Sequence, residues 1–349
     1  MRRAVAIGLG AACTACWGPP PDRRDRTQEP CGPAGETIPL LEAGVVNASD
    51  ALALPTGLAL VGDYLVVLDA ASDSVLHVVD RRDGSLFRSL GRRGRGPGEF
   101  DGPWSLDVAE GAAPAVWVWD VPLRRLTHVP LTPDSDAPLR ETRQLRLADG
   151  VVLTEPRWLG ADTIVSPGLA ADTRLVLYGP AGQRIGGLGR GVPLEAGQPF
   201  QATQAELALR PDRRRLAVAN RYVSRIDLVG TSGALAVTVE GPVSVNEGRP
   251  IVELDRFAFV DVAATAEHVV ALFSGRTRAD FGGRAVFGAC LQVFDWQGAL
   301  KGAYRLDSDV IAIAVAQDES AIYGVRHLPV PAVVRFALPR SQVYAAAGD

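Results

Sequence analysis

From residue 37 onward the hydrophobic positions fall in short runs, alternating or unbroken, bounded by Gly, Asp and Pro. Tyr64-Leu-Val-Val-Leu-Asp69, Val116-Trp-Val-Trp-Asp120 and Leu216-Ala-Val-Ala-Asn220 are examples. Runs of this kind, rich in β-branched and aromatic residues, predict strands, and no stretch sustains the 3.6-residue period of a long amphipathic helix. The runs also recur in register. An apolar strand reaches an acidic turn and a second apolar strand follows at once, with turn residues Asp63, Glu110, Asp162, Asp212, Glu267 and Asp318. The intervals of 47, 52, 50, 55 and 51 residues lie near the ~40 to 50 residues of a four-stranded propeller blade.

A second hairpin follows within most units. Val78-Val-Asp80 precedes Gly84, and Val293-Phe-Asp295 precedes Gly298, placing glycine where a tight hairpin turn needs positive φ. Two hairpins per repeat and six repeats predict one all-β domain over residues 37–340, a six-bladed β-propeller with four-stranded antiparallel blades. The sixth repeat lacks a fourth strand, while the stretch Thr37 to Val46 is an unassigned strand at the other end. Pairing the two closes the ring through an N-terminal strand and removes an open sheet edge.

Residues 1–15 hold Arg2 and Arg3, an apolar stretch too short to span a bilayer, and then small residues, which reads as a secretory signal peptide. The small residues before Cys16, or before Cys13, resemble a bacterial lipobox. The expectation is therefore lipidation at Cys16 or Cys13, with plain secretion as the alternative. Residues 16–36 are rich in proline and charge and predict a solvated tether, and residues 341–349 form a C-terminal tail. This layout predicts a lipid-anchored protein of the bacterial cell envelope. The outer membrane ranks ahead of the inner because no Asp follows the candidate cysteine; the alternative is a secreted or periplasmic protein. In an oxidising compartment Cys31 and Cys290 form an even pair, either a disulfide or two unrelated thiols.

Composition narrows the function classes. With 36 basic against 40 acidic residues the net charge is −4, and −6 once Arg2 and Arg3 leave with the signal. No basic excess points to nucleic acid, and 47% hydrophobic residues exclude wholesale disorder. Lys301 is the only lysine, so the basic set is almost entirely arginine, a GC-rich coding bias whose functional weight depends on position.

The stretch Gly84-Ser-Leu-Phe-Arg-Ser-Leu-Gly-Arg-Arg-Gly-Arg-Gly-Pro-Gly-Glu-Phe100 resembles the blade junction of NHL-repeat propellers, and Gly186-Gly-Leu-Gly-Arg-Gly191 is a degenerate second copy. Together with the lipoprotein-like start and Asn220-Arg-Tyr-Val-Ser-Arg-Ile-Asp227, the chain resembles bacterial six-bladed propeller lipoproteins of the NHL-repeat/TolB-like superfamily. The resemblance implies the architecture and says little about ligand.

In a propeller, function concentrates on the face made by the loops joining blades and the loops between second and third strands. Arg93, Arg124, Arg221, Arg225, Arg276, Arg278 and Arg326 fall in those loops. Their planar forks predict an anion-accepting mouth, against the alternative of solvated loop arginines supplied by coding bias. Tyr222, Phe100, Phe281 and His327 lie among them, as stacking platforms or as loop anchors packed on a blade. The longest internal loop runs from Ser274 to Ala289, and loops of that length tend to carry function.

Signals for catalysis are weaker. There is no GxSxG elbow and no GxxxxGK phosphate loop. His77 and His128 fall on third strands and His268 at a hairpin start, so only His327 is placed near the mouth. Asp107, Glu155 and Asp261 are candidates to line the channel, and an alternative reading has them holding a divalent metal such as calcium in a lactonase- or lyase-like enzyme. The Asn-x-x-Asp constellations expected of such enzymes are absent. Asp69 and Asp73 suit either calcium or a hydrogen-bonded turn. The leading expectation is a monomeric, envelope-tethered, non-catalytic propeller without a cofactor, binding a peptide, protein partner or glycan at the arginine-rich face.

Overall fold

The computed structural model describes residues 30–33, 35–131, 139, 144–147, 153–168, 173–190, 204–232, 235–246, 255–281 and 285–339. The signal segment, Cys13, Cys16, nearly all of the tether and the C-terminal tail lie outside these residues. The chain enters through β1 (Leu40–Leu41) and β2 (Ala43–Asn47). Blade one follows as β3 (Pro55–Val61), β4 (Tyr64–Asp69), β5 (Ser74–Asp80) and β6 (Leu86–Arg93), with a short β7 (Glu99–Phe100) parallel to β6. Blade two is β8 (Pro103–Val108), β9 (Ala115–Asp120), β10 (Arg125–Pro130) and β11 (Gln144–Arg146). Blade three is β12 (Arg157–Trp158), β13 (Ile164–Pro167), β14 (Thr173–Tyr178) and β15 (Arg184–Arg190). Blade four is β16 (Ala205–Leu209), β17 (Arg215–Asn220), β18 (Arg225–Gly230) and β19 (Leu235–Glu240). Blade five is β20 (Phe259–Ala264), β21 (His268–Phe273), β22 (Gly288–Asp295) and β23 (Leu300–Val310). Blade six is β24 (Ala312–Val315), β25 (Ala321–Arg326), β26 (Ala332–Ala337) and β2. The protein is thus a six-bladed β-propeller, and each acidic turn read from the repeat joins the first and second strands of its blade.

Six apolar layers, one at each blade junction, form the core. Val66, Leu68 and Val78 of blade one meet Leu106, Val116 and Val118 of blade two. Ala217, Ala219 and Ile226 of blade four meet Phe259, Val269 and Phe273 of blade five. This explains why so many second strands are unbroken apolar runs. A strand inside a blade faces a neighbouring sheet on both sides, so neither face is free to be polar. The junction motif at Gly91 to Phe100 serves the same packing. Phe100 is fully buried, and Glu99 accepts the Gly96 N–H at 2.8 Å and pairs with Arg92 at 2.5 Å, holding the turn.

The N-terminal segment closes the ring, and in more detail than one strand. Ala43–Asn47 runs antiparallel to β26 as the outer strand of blade six, whereas Leu40–Leu41 runs parallel to β23 of blade five. Asn47 then donates to the Gly84 carbonyl of blade one at 2.8 Å. Gly84 has φ +76°, and a Cβ there would sit 2.0 Å from the Val46 carbonyl oxygen, so the turn requires glycine. The tether also ends sooner than residue 36. Cys31 is buried and disulfide-bonded to Cys290 on β22, with a Cα–Cα distance of 5.3 Å, and Ile38 packs on the core beside it.

A cross-link closing 259 residues of sequence restricts the unfolded chain strongly. The double substitution Cys31→Ser with Cys290→Ser is expected to lower unfolding free energy by about 2–5 kcal/mol. Urea denaturation measures this, with reductant reproducing the shift in the parent and leaving the variant unchanged.

Candidate functional site

The first strands of the six blades splay from one another around the axis, so their inward backbone groups have no adjacent strand to pair with and need side-chain partners. Three acidic residues supply them. Asp107 accepts the N–H of Trp158 in the next blade at 2.8 Å, Glu155 that of Leu207 at 2.8 Å, and Asp261 that of Ile313 at 2.7 Å. Arg157 works in the other direction, donating to the Leu106 carbonyl of blade two and, at 3.3 Å, to the Leu207 carbonyl of blade four.

Above these ties a cavity of about 350 Å³ opens on the face of the blade-joining and second-to-third-strand loops. Its wall is two-sided. Blades three, four and five contribute Glu155 and Arg157, Glu206 and Arg221, and Asp261. Blades six, one and two contribute Ile311, Ala312, Gly57, Leu58, Ala70, Pro103 and Trp104, with Val286 from the long loop of blade five. That loop is fixed by aromatic packing: Phe281 and Phe287 cluster with Tyr222 and Phe257, and Arg276 lies 4.8 Å over the Phe281 ring.

Burial and mutual repulsion govern the charges here. Burial, and after it the charge of Glu206, raises the Asp261 carboxyl to about 7. Burial likewise drives Glu155 well above the usual carboxylate range, against the pull of Arg157 and with Glu206 and Asp261 adding to it. Asp107 is raised by burial too. For Arg157 burial works against the charge, but the surrounding carboxylates, Glu155 first, more than compensate and hold the guanidinium ionised.

The arginines singled out in the sequence have intramolecular partners. Arg93 donates to the Asp69 and Ala70 carbonyls, and Arg124 to the Leu147 carbonyl at 3.4 Å. Arg221 holds Glu206 through Nε at 3.0 Å, and Arg225 holds Asp227 at 3.1 Å. Arg276 grips Asp309 with both terminal nitrogens at 3.0 and 3.1 Å; Arg326 donates to Ser308 Oγ at 3.4 Å. Arg278 donates to the Tyr222 hydroxyl at 3.3 Å and lies over Phe257. Only Arg221 of the set lines the cavity.

Tyr222 is buried at 4% exposure and so packs under the loop face, where its ring meets Phe257 at 5.2 Å. His327 stacks edge-on against Phe287 at 4.9 Å, and its Nε2 donates to the Pro55 carbonyl at 2.7 Å. Burial holds that imidazole below its ordinary pKa. Asp69 is the hydrogen-bonded turn, accepting the N–H groups of Ala53, Leu54, Ala71 and Ser72 at 2.8 to 3.0 Å. Among the described residues no three His, Cys, Asp or Glu side chains converge as a metal-ligating group. Sequence reasoning missed Glu206, Arg157, Ser105 and Trp104. The available signal was a lone charge interrupting an apolar first strand, as in Ala205-Glu-Leu-Ala-Leu209.

No protein-family model matches the chain, and no curated protein sequence matches it. Among solved structures the fold is similar to a DUF4221 family member from Bacteroides vulgatus, with TM-score 0.59 and 8% identity over 86% of this chain and 96% of that one. BBS1N in complex with ARL6DN matches at TM-score 0.46 and 12% identity, over 80% of this chain and 75% of that chain. Hydrazine synthase from Kuenenia stuttgartiensis matches at 0.46 and 12%, over 79% and 74%. At these identities the likeness concerns the fold alone.

Asp261 provides a pH test of the cavity's burial. An acid raised from 3.8 to about 7 keeps a proton in the folded state that the unfolded chain has released. Its contribution to stability is complete below about pH 4 and lost as pH rises through about 7. In Asp261→Asn the fall of unfolding free energy across that window is expected to be shallower by up to about 1.4 kcal/mol per pH unit. Urea titrations at several pH values measure the difference.

Proposed function

We propose that this chain is a non-catalytic binding propeller, tethered to the bacterial envelope through its N-terminal segment, whose partner docks on the face where the central cavity opens. The observation that carries the reading is the cavity itself: about 350 Å³, with a charged wall from blades three to five and an apolar wall from blades six, one and two. Pockets of ~300–1,000 Å³ with a few convergent polar groups in a largely apolar wall are the usual form of a binding site. Large apolar side chains stand exposed on this same face, with Trp104 at 53%, Val223 at 45% and Val330 at 50%. Kinship with NHL-repeat and TolB-like propellers, and lipidation at Cys16 or Cys13, belong to this proposal and rest on the junction motif and the N-terminal pattern. The partner classes it covers are an envelope protein, a peptide or a glycan.

The non-catalytic part rests on how the polar groups are engaged. Asp107, Glu155 and Asp261 each commit an oxygen to a backbone N–H of the next blade. The serine–histidine contact of Ser89 and His77, 2.8 Å, stands on the third and fourth strands of blade one, away from the cavity lining.

The test is capture of partners from detergent-solubilised envelope by the purified chain. A loop-face variant carrying Trp104→Glu, Val223→Asp and Val330→Asp is expected to weaken capture at least tenfold, as loss of central contacts does. Val108→Asp, at the opposite end of its strand, is expected to leave capture intact. Equal capture by the loop-face variant and the parent would reject this face.

A further inference from the structure

Resting on the binding-face reading, we infer that the cavity takes an ammonium or guanidinium group on an apolar stem, the chemistry of a lysine or arginine side chain. The charged side of the cavity carries three carboxyl groups against two guanidiniums. Both guanidiniums are already engaged, Arg157 with Glu155 at 3.3 Å and Arg221 with Glu206 at 3.0 Å. Asp261 forms no ion pair within 4 Å among the described residues and accepts the backbone N–H groups of Val262 and Ile313. Once Asp261 is ionised, above about pH 7, an incoming anion would meet occupied arginines and an unpaired carboxylate, whereas a cation meets that carboxylate directly.

The unused hydrogen-bonding capacity points the same way. Glu155 accepts through Oε2 and Glu206 through Oε1, so each keeps a second oxygen that accepts no hydrogen bond among the described residues. Both residues are more than nine-tenths buried. Independently of the acids, the Ser105 hydroxyl lies in the cavity wall, is 4% exposed and finds no partner among the described residues. A buried hydroxyl left open, as at Ser105, is costly unless a hydrogen-bond partner reaches it. Ammonium and guanidinium are donor-only groups, with three and five N–H bonds respectively.

The apolar part of the wall fits the stem. Leu58, Ile311, Val286 and Trp104 line the same cavity as the carboxylates, and long basic side chains lay their methylenes on apolar surface while the head stays polar. Trp104, half-exposed at the mouth, offers a ring face that attracts a passing cation. A volume of about 350 Å³ is at the small end for ligands, which suits one side chain or a small alkylamine rather than an extended polymer. These two sources share one chemistry and are separated by experiment.

Isothermal titration of the mature chain uses n-hexylammonium, Nα-acetyl-lysine N-methylamide, hexanoate and hexanol as probes. Both ammonium probes are expected to bind at least tenfold more tightly than hexanoate or hexanol. Glu206→Gln and Asp261→Asn should each weaken them about tenfold, and Trp104→Ala about threefold. Tighter binding of the lysine derivative than of hexylammonium assigns a peptide source; equal binding assigns a small amine. Hexanoate binding as tightly as hexylammonium overturns the inference, as does calcium chloride displacing hexylammonium at equal concentration. Unchanged ammonium binding in Trp104→Ala and in whichever carboxyl variant retains the parent's melting profile also overturns it. Failure here is distinguishable from failure of the binding face. Envelope capture lost in the loop-face variant but intact in Glu206→Gln and Asp261→Asn overturns only the cation assignment. Capture lost in neither overturns the face itself.

Discussion

Each blade of this ring buries both of its faces only because another blade stands on either side, so the apolar layers are complete only when the circle is closed. Closure falls on five residues. Ala43–Asn47 supplies the missing outer strand of blade six, and without it the β26 edge would present unpaired backbone groups to solvent. The chain reinforces this strand from both sides. Upstream, Leu40–Leu41 pairs with blade five and Cys31 is cross-linked to it; downstream, Asn47 reaches the Gly84 turn of blade one. One short N-terminal segment therefore contacts three consecutive blades across the point where the ring begins and ends.

A second constraint arises at the axis. Strands pair within blades but not between them, so the first strands leave backbone donors and acceptors facing a low-dielectric interior. Acidic residues of three blades and the guanidinium of Arg157 satisfy them by reaching to the next blade. Arg213 does the same at the opposite end, donating to the Trp158 and Val108 carbonyls of two other blades. These charges are there for structure first. Because charged groups need company when buried, they bring further charges with them, and Glu206 with Arg221 completes a polar half-ring. The apolar half-ring is left where blades six, one and two meet the axis without charged side chains in the wall.

Function inherits both constraints. Among the described residues, side-chain hydrogen bonds tie loop turns to the blades, as Asp69 does for Ala53, Leu54, Ala71 and Ser72, and preorganised contacts of this kind lower the ordering cost of binding. Each loop arginine named in the sequence has an intramolecular partner, a carbonyl, carboxylate, hydroxyl or aromatic ring, and of that set only Arg221 lines the cavity. Among the described residues, a second oxygen of Glu155 and of Glu206 and the Ser105 hydroxyl accept no hydrogen bond at the cavity.

The repeat of acidic turns at Asp63 through Asp318 was sufficient to establish blade count, strand order within blades and the need for a closing strand. Those features are local or periodic, and the two-residue alternation of a strand and the glycine of a tight turn can be read without knowing what packs on them. The division of the N-terminal strand between blades five and six was not legible, because Leu40–Leu41 and Ala43–Asn47 are alike in pattern and differ only in which edge lies within reach. Phe100 and Tyr222 read in sequence either as stacking platforms or as loop anchors, and their burial at 0% and 4% makes them anchors, since burial depends on what folds over them. The cavity required the most from tertiary structure. Ser105, Glu155, Glu206 and Asp261 come from four blades, each about one repeat apart; Glu155 and Asp261 were legible as channel-lining candidates, Glu206 only as a lone charge in an apolar strand, and Ser105 not at all. Sequence alone determined the propeller, while only the meeting of first strands at one axis decided which side chains share a site, because that proximity is a property of the closed ring and of no segment within it.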